Sequence, residues 1–345
     1  MRKSLQLILA VSVMLLSACD VHEWPEAPQF VQLHLRLGYE TDMVEWHHLY
    51  EDASIVEQRL GTTYNNQQSS GTIRYVVRTY PAAEKQRSTQ EYVQQFVITK
   101  DIAEGYNHAA TLDLLPGNYN IEVWSDIVES SDEEYVHDVT SFSQIRLLGS
   151  HKGNTDYRDA FRGSADVLLE SSTDVRQPDT LDVVMQRPLA KFEFITNDVD
   201  KFIGKEATRA AASAESINPA DVNIEEYKVV FHYVGFMPNA YSIATDKPVD
   251  SATGVTFESS LQRLSDTEAK IGFDYLFVGH EQAAVTVQIG VYDGTGAQLS
   301  LTEPIEVPIK RNHHTIMKGM FLMSDAEGGV AINPDFNGNH NLVIQ

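Results

Sequence analysis

Apolar residues in this chain recur at every second position far more often than at a helical spacing. Residues 30–38, FVQLHLRLG, put Val31, Leu33, Leu35 and Leu37 on one face and Gln32, His34 and Arg36 on the other. Side chains of a strand alternate between two faces, so this run predicts a strand with one face buried. A polar stretch follows to about residue 70, includes NNQQSSG, and reads as a long loop. Strand patterns return in TIRYVVRTY (72–80), EYVQQFVIT (91–99), ATLDLL (110–115) and NYNIEVWSD (118–126). The last two are joined by Pro116-Gly117, a turn signal. SFSQIRLLG, SADVLLES and TLDVVMQ carry the pattern to Gln186.

Arg187-Pro188 interrupts it. LAKFEFITND (189–198) then opens a new strand, with Phe192 and Phe194 opposite Lys191 and Glu193. This break divides the chain into one unit at 30–187 and a second at 188–345. The alanine-rich KEATRAAASAES (205–216) is compatible with a helix or a loop. Strands are expected again in EYKVVFHYVG (226–235), KIGFDYLFVG (270–279) and AVTVQIGV (284–291), where DGTG turns into AQLSL as a hairpin. IEVPIK, HTIMKGMFLM, GGVAI and HNLVIQ complete the series. Many short strands with few helical windows predict an all-β fold of antiparallel sandwiches, and the length suits two in tandem.

The amino terminus adds a location. Arg2 and Lys3 precede an apolar run from Leu5 to Leu16, too short to remain as a membrane span. Leu16, Ser17, Ala18 and Cys19 then read as a lipobox. Residues 1–18 would be removed as a signal peptide, and Cys19 would carry acyl chains that hold the protein on a membrane. Residues 19–29 form an acidic tether containing Asp20, Glu23 and Glu26. Cys19 is the only cysteine, so no internal disulfide forms and core burial must supply the stability. The formal net charge of −23, from 26 Lys+Arg against 49 Asp+Glu, disfavours nucleic acid and anionic lipid surfaces as partners.

Catalytic patterns are scarce. Gly294-Thr295-Gly296 lacks the following Lys-Ser/Thr of a phosphate loop and sits in the hairpin. Adjacent strand residues face opposite ways, so His47-His48 and His313-His314 are each split between two faces and read as solvated histidines near turns. Asn333, Asp335, Asn337 and Gly338 imitate the start of a calcium loop, but Ile344 stands where its closing Glu is needed. SDEEYVHD (131–138) reads as a solvated acidic loop. No G-x-S-x-G elbow occurs. Trp46, Tyr64, Tyr135 and Tyr241 lie in or beside polar segments and could stack on sugars, although a core position is the preferred reading. No catalytic residue, metal site or cofactor is therefore expected.

Longer stretches carry a family likeness. LLPGNYNIEVWSD (114–126), YRDAFRGSADV (157–167), QRPLAKFEFITND (186–198), YKVVFHYVGFMPNAYSI (227–243) and VPIKRNHHTIMKGMFL (307–322) follow one another after the lipobox and first strand. In this order they resemble the fimbrillin-like lipoproteins of Bacteroidetes, which include shaft, tip and anchor subunits of type V pili. The resemblance implies two transthyretin-like Greek-key sandwiches in tandem, in an outer-membrane lipoprotein. It implies other fimbrial subunits as partners through strand exchange, in which a protease cuts after an arginine, the first strand leaves, and a donor strand fills the groove. Here the groove strand would be Val31, Leu33, Leu35 and Leu37, and the cut site Arg59; Arg36 lies inside the strand and suits a cut less well. An anchor subunit keeps both its first strand and its lipid. Asp20, Glu23 and Glu26 resemble a surface-export signal, and equally a plain acidic tether. HNLVIQ is read as the last strand of the second sandwich rather than a donor. The expected function is a non-enzymatic structural, anchor or accessory subunit of a surface filament. The alternative is a monomeric surface lipoprotein that binds a glycan or host ligand.

Overall fold

The computed structural model describes residues 29–51, 54–58, 63–65, 71–82, 92–128, 136–170, 179–212 and 218–323. The lipobox residues Leu16, Ser17, Ala18 and Cys19, the acids Asp20, Glu23 and Glu26, Arg59, Tyr135, the calcium-loop imitation and HNLVIQ lie outside these residues.

The fold is all-β sandwich. Val31–Tyr39 is the central strand of a three-stranded sheet, antiparallel to His108–Leu114 and parallel to Asp179–Met185. Facing it is a four-stranded antiparallel sheet in the order Ala160–Leu169, Gly117–Val128, Thr72–Pro81, Gln94–Asp101. The alternation of the first strand sends Leu33, Leu35 and Leu37 into the space between, against Ile73, Tyr75, Val77, Ile121, Val123 and Phe161. At one edge the two sheets approach so closely that only glycine fits. A Cβ on Gly163 would come within 2.5 Å of Val183 Cγ1 and 2.7 Å of Met185 Sδ.

A second pair of sheets follows the same logic. One runs Gln262–Arg263, Ala269–Phe277, Leu189–Thr196, His313–Gly319, Asp42–Glu51, Ser54–Gln58, with Thr63–Asn65 also paired to Asp42–Glu51. The other runs Thr256–Ser260, Lys228–Tyr233, Ala283–Tyr292, Gln298–Leu301, with Ile305–Ile309 also paired to Ala283–Tyr292. Phe192, Phe194, Phe231, Val287, Ile289 and Met317 fill the space between them. The one α-helix among the described residues, Val199–Ala212, packs Val199 and Phe202 onto that core. Its alanines favour helix, which resolves the open reading of 205–216 as far as Ala212.

Two features depart from the sequence expectation. The stretch after Tyr39 is not a long loop: it contains Asp42–Glu51, Ser54–Gln58 and Thr63–Asn65. DMVEWHHLYE does not alternate cleanly, because it buries Met43 on one face and His48 on the other while pairing with His313–Gly319 and Ser54–Gln58. Three ladders among the described residues are parallel, within a fold that is otherwise antiparallel.

The halves of the chain also interleave. Asp42–Glu51 belongs to a sheet built mostly from residues after 188. A four-stranded sheet joins His137–Asp138 and Ile145–Leu147 to Phe236–Ser242 and Lys247–Thr253. A third apolar cluster combines Val76, Trp124 and Phe142 with Leu189, Tyr241, Phe273, Tyr275 and Phe277. This cluster covers the second face of Thr72–Pro81, whose eight central residues are all buried.

Candidate functional site

The first strand is the element on which any strand exchange turns. Its backbone is paired on both sides over its length. On the outer face, His34 Nδ1 lies 2.9 Å from Thr111 Oγ1, and Arg36 donates two hydrogen bonds to Asp182, at 2.7 and 2.8 Å. Those outer contacts are exposed and contribute little; the three inward leucines supply most of the hold. Val31 is half-buried at the strand's start. Removing the strand would leave His108–Leu114 and Asp179–Met185 unpaired along facing edges, with an apolar groove between them.

The chain path after the strand limits how it can be removed. Tyr39 ends it in an aromatic cluster with Tyr75, Tyr106 and Phe161, and burial pushes its phenol well above the usual range. Only Glu40 and Thr41 separate it from Asp42–Glu51, which completes a sheet in the other sandwich. Glu40 N donates to Met185 O, while Thr41 O accepts from Arg187 Nη2 at 3.0 Å. A chain cut at Arg59 would therefore lose Asp42–Glu51 and Ser54–Gln58 together with Val31–Tyr39.

The family-like motifs meet in a buried ionic seam. Arg187 of the RPLAKFEF stretch donates to Asp159 of YRDAF at 2.6 and 2.9 Å, and to Asn312 Oδ1 at 2.6 Å. Both charged side chains of that pair are fully buried. Burial opposes the charge on Arg187, and Asp159 overcomes it, so the guanidinium pKa is raised. Lys191 and the Tyr275 hydroxyl both donate to Asp156, at 3.0 and 2.8 Å. Arg158 and Tyr233 donate to Asp274. Arg162, Arg311 and Tyr241 converge on Asp246. Arg74 grips Asp126 at 2.8 and 2.5 Å, with His137 Nδ1 3.4 Å away. Burial alone would raise the pKa of Asp126, Asp246 and Asp274, but these donors outweigh it and hold each carboxyl below its ordinary value. Buried charges persist only when so partnered. The seam is a structural lock, and sequence reading missed it because a buried ion pair looks like any other polar positions.

The remaining candidates scatter. His48 and His314 are buried rather than solvated, because each faces inward on a strand covered by its neighbours. His314 Nε2 stands 3.4 Å from Glu193, and burial lowers its pKa. Trp46 is half-buried beside His313, ring centroids 4.3 Å apart. Tyr241 is fully buried, as the core reading has it. Gly294-Thr295-Gly296 forms the expected hairpin turn, where Asp293 accepts from the Thr295 hydroxyl and from the backbone of Ala297 and Thr295, and its pKa falls to about 2. Among the described residues no group of three or more His, Cys, Asp or Glu is placed to hold a metal ion. No described helix is long and apolar enough to cross a membrane.

Fold and site together define an all-β sandwich protein with a doubly paired first strand and a buried ionic seam. The chain belongs to the Family of unknown function (DUF6562), whose model matches residues 28–345. No curated protein matches it. Among solved structures it is similar to the fimbrial anchor protein Mfa2 from Porphyromonas gingivalis, at 11% identity and a TM-score of 0.39, covering 79% of this chain and 82% of that one. It is similar to a fimbrial assembly protein from Parabacteroides distasonis ATCC 8503, at 10% identity and 0.38, covering 85% and 92%. It is also similar to the tip fimbrial protein Mfa3 from Porphyromonas gingivalis with C-terminal truncation, at 11% and 0.35, covering 81% of each chain.

Proposed function

We propose that this chain is a non-enzymatic lipoprotein of the outer membrane that serves a fimbria-like filament as an anchor or accessory subunit and keeps its first strand. The filament part of this reading draws on the sequence motifs that resemble fimbrillin-like lipoproteins. The anchor part is carried by one observation: Val31–Tyr39 and Asp42–Glu51 are joined by two residues yet complete sheets in different sandwiches. A cut at Arg59 would strip strands from both, so retention is the less costly state. The two sheet pairs act as two domains in this reading, with the break at Arg187-Pro188 crossed by Asp42–Glu51, Ser54–Gln58 and Thr63–Asn65, which join the second pair. Cys19 carries the acyl chains, and Asp20, Glu23 and Glu26 direct the protein outward or tether it.

Replacement of Cys19 by serine tests the reading, because it removes the acylated thiol and leaves the described residues untouched. Filaments and the variant chain are expected to appear together in the culture medium, scored by immunoblot of cell and medium fractions. A variant that stays with the envelope, with filaments as firmly attached as before, would overturn the proposal.

A further inference from the structure

A cleft of about 550 Å³ opens between the 147–158 segment and the strand Thr256–Ser260. That size suits a small ligand. Leu147, Leu148, Tyr157 and Phe257 supply apolar wall, and Lys152 and Arg158 supply cationic groups. The wall is closely fitted at one point: a Cβ on Gly153 would meet the Phe257 ring at 2.4 Å, so the backbone there lies directly on the ring.

Arg158 is the informative residue. It is 3% exposed, and each hydrogen bond it makes runs through one nitrogen. Nη1 donates to Asp274 Oδ1, contacts His151 Nε2 at 2.7 Å and reaches Lys152 O at 3.4 Å. Nε is buried with no hydrogen-bond partner among the described residues. Nη2 has no acceptor among the described residues either. The Nε–Nη2 edge is one with which a guanidinium grips a carboxylate through two parallel bonds. Asp274 is already committed: Oδ1 also accepts from Tyr275 N, and Oδ2 accepts from Tyr233 and lies 2.7 Å from His151 Nε2.

The charge balance points the same way. Asp274 offsets Arg158. Glu258, the carboxylate on the wall, is ion-paired to Lys228. Lys152 is exposed at the rim and makes no ion pair with a described residue. Counted over the described residues, the cleft is thus locally positive in a chain whose net charge is −23.

We propose that this cleft binds a small monocarboxylic acid with an apolar body. Its carboxylate meets the Arg158 guanidinium where it lines the cleft, Lys152 closes the rim, and the body lies against Leu147, Leu148 and Phe257. The site is independent of filament assembly.

Calorimetric titration of the detergent-solubilised full chain tests this, with 4-phenylbutyrate, its neutral amide and glucuronate as probes. The expected result is saturable binding of 4-phenylbutyrate, roughly tenfold or more tighter than the amide. Lys152→Glu should weaken the acid about tenfold with an unchanged melting temperature. Arg158→Gln should remove most of the preference for acid over amide; Lys152→Glu decides the matter if that buried variant fails to fold. Equal affinity for acid and amide, or no saturable binding of either acid up to about 10 mM, would overturn the proposal. A preference for glucuronate over 4-phenylbutyrate would overturn the apolar-body assignment.

Discussion

Arg187 shows how little of a residue's work its place in the sequence reveals. Beside Pro188 it marks the interruption between two runs of strands, yet it is fully buried and tied to Asp159, Asn312 and Thr41. Charge, polarity and spacing are visible in a sequence; the partner that makes a buried charge tolerable lies 28 residues away and is not. Arg187→Met should destabilise the protein by about 3–5 kcal/mol in denaturant melts, since it strands Asp159. Adding Asp159→Leu should recover much of that loss; equal damage from the double variant would contradict the account. The buried histidines set a pH dependence. Burial lowers the pKa of His137 and His314 from 6.5 in the folded state, whereas unfolded histidine protonates at the ordinary value. The unfolded chain then binds more protons below about pH 6.5, so stability falls as pH falls through that window. Asp126, Glu193, Asp246 and Asp274 have lowered pKa values, so their contribution is present above the ordinary carboxylate range and is lost only at still lower pH. The melting temperature should drop between about pH 7.5 and about pH 5.5, and His137→Gln with His314→Gln should flatten that slope. A wild-type melting temperature that does not change across the window would contradict this.

At the scale of the element, legibility followed alternation. Val31–Tyr39 and Ala283–Tyr292 each bury one apolar face and were plain in the sequence; Leu189–Thr196 was plain as a strand, although Lys191 and Glu193 on its other face are buried as well. Asp42–Glu51 was not, because it buries residues on both faces, Met43 on one and His48 on the other. Thr72–Pro81 was legible as a strand but not as a doubly buried one. Alternation assigns Arg74 and Arg78 to solvent, while the fold covers them and pairs them with Asp126, Gln95 and the carbonyls of Val139 and Thr140. The first strand offers a direct comparison of its two faces. Leu35→Ala should cost about 2–5 kcal/mol, as removal of a fully buried leucine does. Arg36→Ala should cost at most about 1 kcal/mol, because its pair with Asp182 is largely exposed. Chemical denaturation of the two variants checks the difference, and comparable losses would contradict the assignment of the hold to the leucines.

For the whole molecule, the interleaved strands and the shared cluster around Trp124 predict one cooperative unfolding transition rather than two. Trp124→Ala should lower that transition and split it, since it weakens the join while leaving each sandwich core in place; calorimetry reads both effects. The filament role rests on the resemblance of the motifs, whereas the retained strand rests on the chain path from Tyr39 into Asp42. Both come to a test in one gel of native membrane extract, run unheated beside heated and probed through a tag inserted in the exposed Gly294-Thr295-Gly296 turn. The account predicts a detergent-resistant ladder that collapses on heating to a single lipidated band still carrying Val31–Tyr39, established by mass spectrometry of that band. A single band in both lanes, or a heat-released chain shortened past Arg59, would contradict it.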